Sequence, residues 1–202
     1  MPSAHARVRK ALRFEAQEYP PFTWGFGPNA FCRAELNGRF RVEHGIHFDA
    51  LQRLTEDVVW LNADYAGPTL AEGQVPYMAM WGIETCSVKS GGAVYDDEIA
   101  RSPLRGIEEW ADLEAHRWPE VDWFDYASLK RQRAEADPEG QRAVRLSAGN
   151  PFEVYCWLVG MEDAMVHLID DTELVDAGMR RITDFFKARL SREVAAVSGV
   201  VD

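Results

Sequence analysis

The chain has 202 residues, of which 47% are hydrophobic and 11% aromatic, so it can bury a core and is not a disordered tail. Its 22 basic and 33 acidic residues give a formal net charge of −11, which repels nucleic-acid phosphates and anionic membrane surfaces. The sequence has no apolar run of signal-peptide length near its start and no stretch of roughly 20 apolar residues, so we expect a soluble, cytoplasmic protein that binds neither nucleic acid nor membranes.

The first part of the chain predicts helices, a loop and one buried strand. An opening helix begins after Ser3, a good N-cap, with Val8 and Leu12 on its buried side. The prolines of "YPPF" end it, and "TWGFGPNAF" follows as a loop rich in aromatic residues and glycine. Helical spacing through Leu51 and Leu54 then leads to a short strand at 58–61, which ends on the polar loop "NADYAGP".

The middle of the chain predicts a β-hairpin followed by short helices. "KSGG" is the turn of the hairpin, because it separates two runs of β-branched and aromatic residues. Two short helices follow, broken at Trp118-Pro119, and "RAVRLSAG" is the next strand candidate. This alternation of strands and helices is typical of an α/β protein.

The last part of the chain carries the clearest helical signals. Asn150, Pro151 and Glu153 occupy the N-cap, first-turn and N3 positions of a capping box. One helical stripe follows and predicts a continuous core face, formed by Val154, Trp157, Leu158, Met161, Met165, Leu168 and Ile169. Another helix opens at Thr172 and ends at Ser198-Gly199, after which "VVD" begins a strand that the chain does not finish.

Polar residues after the predicted strands indicate where a site would lie. Strand, polar loop, helix and strand in this order predict a parallel sheet, and a (β/α)₈ barrel places its active site where the strands end. The residues that face such a site are Asn62 and Asp64, then Gly149 and Asn150, and finally Asp202. Asn150 is in the first place a helix cap, and a hydrogen bond from its side chain to a ligand is compatible with that role.

Several other groups have ordinary structural explanations. The three cysteines, Cys32, Cys86 and Cys156, are widely spaced and predict reduced thiols packed as small apolar groups, with no disulfide framework. His44 and His47 have no third ligand nearby, so we expect no metal site there. The acidic run "YDDE" at 95–98 is expected to be the solvated end of a hairpin strand.

Three segments resemble the uroporphyrinogen decarboxylase superfamily, which also contains corrinoid-linked methyltransferases. They are "RVRKALRFEAQEYPPF", "WADLEAHRWPEVDWFDYASL" and "GNPFEVYCWLVGMEDAMVHLIDDTELVDAGMRRITDFFKARL", the last being the most specific. The resemblance covers nearly the whole chain in order. It implies a (β/α)₈ TIM barrel of which residues 1–202 are the N-terminal half or slightly more of a single domain, with the hairpin as an excursion.

The resemblance carries over only some of the decarboxylase residues. Decarboxylases have an arginine-rich loop that grips substrate carboxylates, whereas Phe26 and Ala30 stand at the corresponding positions here. Asp57 in "TEDVV" falls on the catalytic aspartate, and Trp157 falls on a substrate-contacting tyrosine. Trp24 and Phe26, beside Gly25 and a second glycine, either line an apolar ligand pocket or plug one side of the barrel.

The methyltransferase branch is therefore the preferred hypothesis, with a small methylated compound or a methyl-corrinoid as substrate. The resemblance implies zinc and a corrinoid in the full-length protein, whose zinc ligands, a His-x-Cys pair and a later Cys, would lie after residue 202. Within this chain we expect no cofactor. A small-molecule substrate and a corrinoid protein are the expected partners, and the chain alone is expected to be a homo-oligomer or prone to aggregation. The alternatives are a uroporphyrinogen decarboxylase with an altered carboxylate grip and a non-catalytic partial barrel.

Overall fold

The computed structural model describes residues 3–25, 30–90, 93–147 and 149–198. The chain forms two compact units. Unit 1 comprises Met1–Asn62, Ser128–Ser147 and Val197–Asp202, and unit 2 comprises Ala63–Ala127 and Ala148–Ala196. The predicted site residues Phe26 and Asp202, and the predicted strand at 200–202, lie outside the described residues.

Unit 1 is built on two parallel strands with helices around them. Its described elements are the helices α1 (Ala4–Leu12), α2 (Ala30–His44), α3 (Phe48–Thr55) and α6 (Ser128–Ala136) and the strands β1 (Val58–Leu61) and β6 (Ala143–Leu146). β1 and β6 pair in parallel, from Val58 opposite Ala143 to Leu61 opposite Leu146. Both strands and their positions were correctly predicted from the sequence. Val59 and Leu61 are buried, as alternate residues of a strand with one face on a core should be.

The helices of unit 1 depart from the predictions in two respects. Ser3 caps α1 by accepting a hydrogen bond from the Ala6 amide at 3.2 Å, as predicted, but Leu12 is 75% exposed and the expected buried side is wrong. α2 was not predicted. Its contacts with α3 include polar ones, since Arg33 Nη1 donates to Asp49 Oδ1 at 2.6 Å. Helices are predicted from apolar residues at helical spacing in the sequence. A helix that packs partly through polar side chains, as α2 does, gives a weak signal of this kind.

Unit 2 contains two short antiparallel strand pairs and several helices. Its described elements are the strands β2 (Asp64–Tyr65), β3 (Glu84–Ser90), β4 (Ala93–Arg101) and β5 (Phe124–Asp125) and the helices α4 (Pro76–Ala79), α5 (Trp110–Ala115), α7 (Pro151–Val159), α8 (Met161–Asp170) and α9 (Thr172–Ala196), with a 3₁₀ turn at Val121–Trp123. β3 and β4 form the predicted hairpin, and β2 pairs with β5. Each sheet in the described part of the chain has two strands, so the complete barrel stays a prediction.

The stripe predicted after Asn150 is wrong in its second half. The chain forms two helices rather than one, because Gly160 has a φ of +97° and interrupts the helix. Val154 and Leu158 in α7 are buried as predicted, whereas Met161 is 61% exposed and Ile169 is 82% exposed. The redirected α8 therefore turns the rest of the apolar stripe away from the core of unit 2.

The core of unit 2 lies around Trp81, which is fully buried against Phe185 and Phe186 of α9. Phe186 also explains Gly149, since a Cβ at that position would lie 2.3 Å from the phenylalanine ring. Gly149 has a φ of +76° as well, so both space and backbone conformation favour glycine there. The glycine before the α7 cap is thus required by packing within the unit.

Candidate functional site

A cavity of about 500 Å³ in unit 1 contains two of the predicted site residues, Asp57 and Trp24. It is lined by Arg7, Tyr19, Pro20, Phe22, Trp24, Leu51, Leu54, Thr55 and Asp57. We call it the Asp57 cavity. Its volume lies within the range of small-molecule sites, roughly 300–1,000 Å³. These residues come from α1, from the segment that holds the two prolines, and from α3 with the residues that follow it.

Asp57 is buried and its carboxylate is fully engaged. The Arg7 guanidinium donates two hydrogen bonds to this carboxylate. Nη2 donates to Oδ1, and Nε donates to Oδ2 at 3.2 Å. The Phe22 amide also donates to Oδ2, at 2.9 Å. The backbone of Asp57 is held as well, since its amide donates to the Phe22 carbonyl at 2.9 Å and its carbonyl accepts from the Ala143 amide at 3.1 Å. A carboxylate with these contacts fixes the position of its neighbours.

The aromatic wall of the Asp57 cavity is held in place by its own contacts. The rings of Phe22 and Trp24 meet edge to face with centroids 5.3 Å apart, and Trp24 meets Phe48 in the same way at 5.1 Å. Trp24 Nε1 donates to Thr55 Oγ1 at 2.9 Å, and its amide donates to the Glu56 carboxylate at 3.2 Å. The indole of Trp24 is therefore held both by the hydrogen bond of its Nε1 and by the ring contacts of its apolar part. It forms a wall of the cavity that is in place before a ligand binds.

The two charged residues that line the Asp57 cavity balance each other. Arg7 and Asp57 are the only charged residues among those described as lining it, and they pair with each other. The remaining lining residues are aromatic, aliphatic or uncharged, namely Tyr19, Pro20, Phe22, Trp24, Leu51, Leu54 and Thr55. Such a cavity favours a small ligand with few charges, because a ligand with several charges would lose hydration without gaining partners.

Asp57 and Asn62 lie at opposite ends of β1. Asp57 precedes the strand and Asn62 follows it, so only Asn62 is at the carboxyl end where a barrel site is expected. Gln132 holds the backbone of Asn62 from α6: its Nε2 donates to the Asn62 carbonyl at 2.7 Å, and its Oε1 accepts from the Asn62 amide at 3.3 Å. The side chain of Asn62 is left exposed at the strand end.

The other predicted residues that the structure describes belong to unit 2. Asn150 caps α7, as predicted, and its side chain accepts from the Glu153 amide at 3.4 Å. Trp157 is half-buried on α7, with its ring centroid 6.1 Å from that of Tyr77. Asp64 begins β2 opposite Asp125. None of these residues lines the Asp57 cavity.

Several lining residues were not identified from the sequence. Arg7 belongs to the basic cluster "RVRK", which is typical of a solvated helix face, and yet its side chain is only 21% exposed. Tyr19, Pro20 and Phe22 come from "YPPF", where the prolines indicated only the end of a helix. The detectable signal was two aromatic residues around two prolines, since a rigid extended segment can present rings to a cavity.

No part of the described chain groups three or more histidine, cysteine, aspartate or glutamate side chains in a way that could hold a metal ion. Cys32 and Cys86 are exposed and Cys156 is buried, so the expected apolar packing of the thiols is correct only for Cys156. Within the described residues, no helix combines the length and apolar character needed to cross a membrane.

Comparisons with known proteins add no family or relative. No protein-family model matches the chain, and neither a curated protein nor a solved structure matches it.

Proposed function

We propose that this chain is the ligand-binding N-terminal part of an enzyme of the uroporphyrinogen decarboxylase superfamily, in its methyltransferase-like branch. The substrate is a small methylated compound, or the methyl group of a methyl-corrinoid. The observation that carries the proposal is that the predicted residues Asp57 and Trp24 line one aromatic cavity of about 500 Å³ whose two charges neutralise each other.

The walls of the cavity suit methyl groups. Tyr19, Phe22 and Trp24 offer aromatic surface, which binds methyl groups by dispersion and also attracts the diffuse positive charge of a methylated ammonium. Leu51 and Leu54 add aliphatic surface. A corrinoid ring is larger than such a cavity, so only a methyl group or a similarly small group would enter it.

Asp57 has a positioning role in this proposal. Its carboxylate holds the Arg7 guanidinium and the Phe22 amide together, so the cavity is already formed before a ligand arrives. The catalytic role predicted for Asp57 stays a prediction. Its contacts favour a residue that orders the site over a free general base, because Arg7 and Phe22 already occupy its two oxygens.

A porphyrinogen fits this cavity poorly. It carries many carboxylates, each of which needs a fixed cation if it is removed from water. The guanidinium of Arg7 is paired with Asp57, so it does not replace the arginine grip of the decarboxylases. The decarboxylase alternative therefore predicts a cationic site outside the Asp57 cavity. A single experiment can compare this alternative with the methyltransferase-like proposal.

The experiment measures binding and turnover with the full-length protein, because turnover requires the complete enzyme. We expect isothermal titration calorimetry to detect binding of at least one of three methylated probes, which are choline, its uncharged carbon analogue 3,3-dimethylbutanol, and methylcobalamin. Trp24→Ala should weaken this binding by about tenfold or more, because it removes a preformed wall, and Trp24→Phe should weaken it less. No conversion of uroporphyrinogen to coproporphyrinogen is expected.

Trp110→Ala is the matched control, since Trp110 is an exposed tryptophan of α5 in unit 2. It should leave probe binding unchanged. Coproporphyrinogen formation at an ordinary enzymatic rate would overturn the proposal in favour of the decarboxylase. Failure of all three probes to bind, or equal losses in Trp24→Ala and Trp110→Ala, would overturn the assignment of the Asp57 cavity.

A further inference from the structure

Unit 2 contains a second cavity, of about 430 Å³, that none of the predicted site residues lines. We call it the Arg117 cavity. Its polar and aromatic lining comprises Tyr65, Thr69, Gln74, Glu84, Arg101, His116, Arg117 and Trp123. Its apolar lining comprises Pro68, Leu70, Ala71, Ala79, Met80, Gly82, Ile83 and Pro103. The cavity thus combines one polar side with a largely apolar remainder.

Two of the charged residues in the Arg117 cavity cancel. Arg101 Nε donates to Glu84 Oε1 at 2.7 Å, and Arg101 Nη2 lies 2.6 Å from the same oxygen. The two residues are register partners at the base of the β3–β4 hairpin, which holds the pair in place. This ion pair contributes no net charge to the cavity.

His116 adds no charge near neutral pH. Burial lowers the pKa of its imidazole below the usual value, and a hydrogen bond with the Trp81 backbone opposes this shift only in part. The buried Nε2 has no hydrogen-bond partner among the described residues. Protonation would place a further N–H donor there without an acceptor, which also favours the neutral ring.

Arg117 is therefore the source of the net charge of the cavity. Arg117 is exposed, its guanidinium lies over the Trp123 ring, 5.2 Å from the centroid, and it forms no ion pair with the carboxylates of the described residues. Tyr65 packs edge to face with Trp123 at 6.4 Å, and its hydroxyl donates to the Pro68 carbonyl at 3.1 Å. The guanidinium is thus oriented by an indole that is itself held by its neighbours, while its donors face no competing acid.

We propose that the Arg117 cavity binds a small monocarboxylate with a flat apolar body, with Arg117 receiving the carboxylate. A guanidinium presents donors in a fork that matches the two oxygens of a carboxylate. The Arg117 cavity has one positive charge more than negative charges, and a monocarboxylate brings one negative charge. Apolar residues such as Leu70, Met80 and Ile83 receive the body of the ligand.

This inference is independent of the proposed function, because the Asp57 cavity and the Arg117 cavity share no residue. The first belongs to unit 1 and the second to unit 2. A failure of one proposal therefore leaves the other unaffected. The probes also differ, since methylated uncharged or cationic compounds test the Asp57 cavity and a carboxylate tests the Arg117 cavity.

The test compares benzoate with benzamide on the full chain by isothermal titration calorimetry. The two probes have the same size and ring, but only benzoate carries a charge. We expect saturable binding of benzoate and binding of benzamide that is weaker by about tenfold or more, because only the carboxylate forms charge-assisted hydrogen bonds. Arg117→Gln should reduce benzoate binding to the level of benzamide.

Arg145→Gln is the matched control. Arg145 is an exposed arginine of β6 whose guanidinium lies 3.7 Å from the centroid of the Trp60 ring, so this substitution removes the same charge and the same kind of stacking in unit 1. It should leave benzoate binding within about twofold of the unchanged protein. Absence of saturable benzoate binding, equal binding of the two probes, unchanged binding in Arg117→Gln, or an equal loss in Arg145→Gln would each overturn the proposal.

Discussion

At the scale of single residues, the pair of Arg7 and Asp57 joins separate elements of unit 1. Arg7 comes from α1 and Asp57 stands directly before β1, so one ion pair joins the first helix to the first strand. The Phe22 amide joins the same carboxylate and brings in the segment between α1 and α2. Removing one partner would leave the other charge buried without compensation.

Asp57→Asn is therefore expected to destabilise the protein by on the order of 3 kcal/mol, because Asp57 is only 5% exposed and Arg7 would lose its counter-charge. Urea denaturation followed by circular dichroism measures this free energy of unfolding. Glu43→Gln is the control, since Glu43 pairs with Arg39 on the exposed surface of α2 at 3.8 Å. It should cost less than about 0.5 kcal/mol. Equal stability of Asp57→Asn and the unchanged protein would contradict a structural role for this pair.

The residue scale also shows which part of the site the sequence could predict. Asp57 was predicted from the resemblance of "TEDVV" to a family segment in which an acid precedes a buried strand, and the strand itself was placed correctly. Arg7 was missed because its partner lies 50 positions away along the chain. A cluster such as "RVRK" gives no local signal that one of its members is paired at long range.

At the scale of elements, signals within a few residues were reliable. The caps of α1 and α7, the strands β1 and β6 and the β3–β4 hairpin were all predicted, because each depends on neighbouring residues. The apolar stripe from Val154 to Ile169 was misleading, because periodicity continues across Gly160 while the backbone does not. An isolated glycine inside a helical pattern lowers the reliability of that predicted helix.

The cap of α7 tests the two roles considered for Asn150. Asn150→Ala should destabilise the protein by about 1 kcal/mol, and Asn150→Asp should be nearly neutral, because the carboxylate also accepts from the Glu153 amide. Differential scanning calorimetry measures both changes. A role in ligand binding would appear separately: Asn150→Asp would then bind the methylated probes more weakly while its free energy of unfolding stayed the same. No change of stability in Asn150→Ala would contradict the capping role.

At the scale of the whole molecule, the exposed apolar face of α8 bears on whether the chain associates with itself. Met161, Met165, Leu168 and Ile169 are spaced as one helical face, and all four are exposed. An exposed apolar face of this kind favours association, whereas the net charge of −11 opposes it. Salt screens the repulsion and leaves the apolar contact in place, so the two effects can be separated.

We expect the 202-residue chain to self-associate through α8, to a degree that rises with protein concentration and with salt. Light scattering coupled to size-exclusion chromatography measures the mass. Ile169→Lys should shift the chain towards the monomer, because it places a charge in the apolar face of α8. Val42→Lys is the control, since Val42 is 86% exposed but belongs to α2 in unit 1. A monomer at every concentration and salt would contradict self-association, and an equal effect of Val42→Lys would contradict the assignment of the contact to α8.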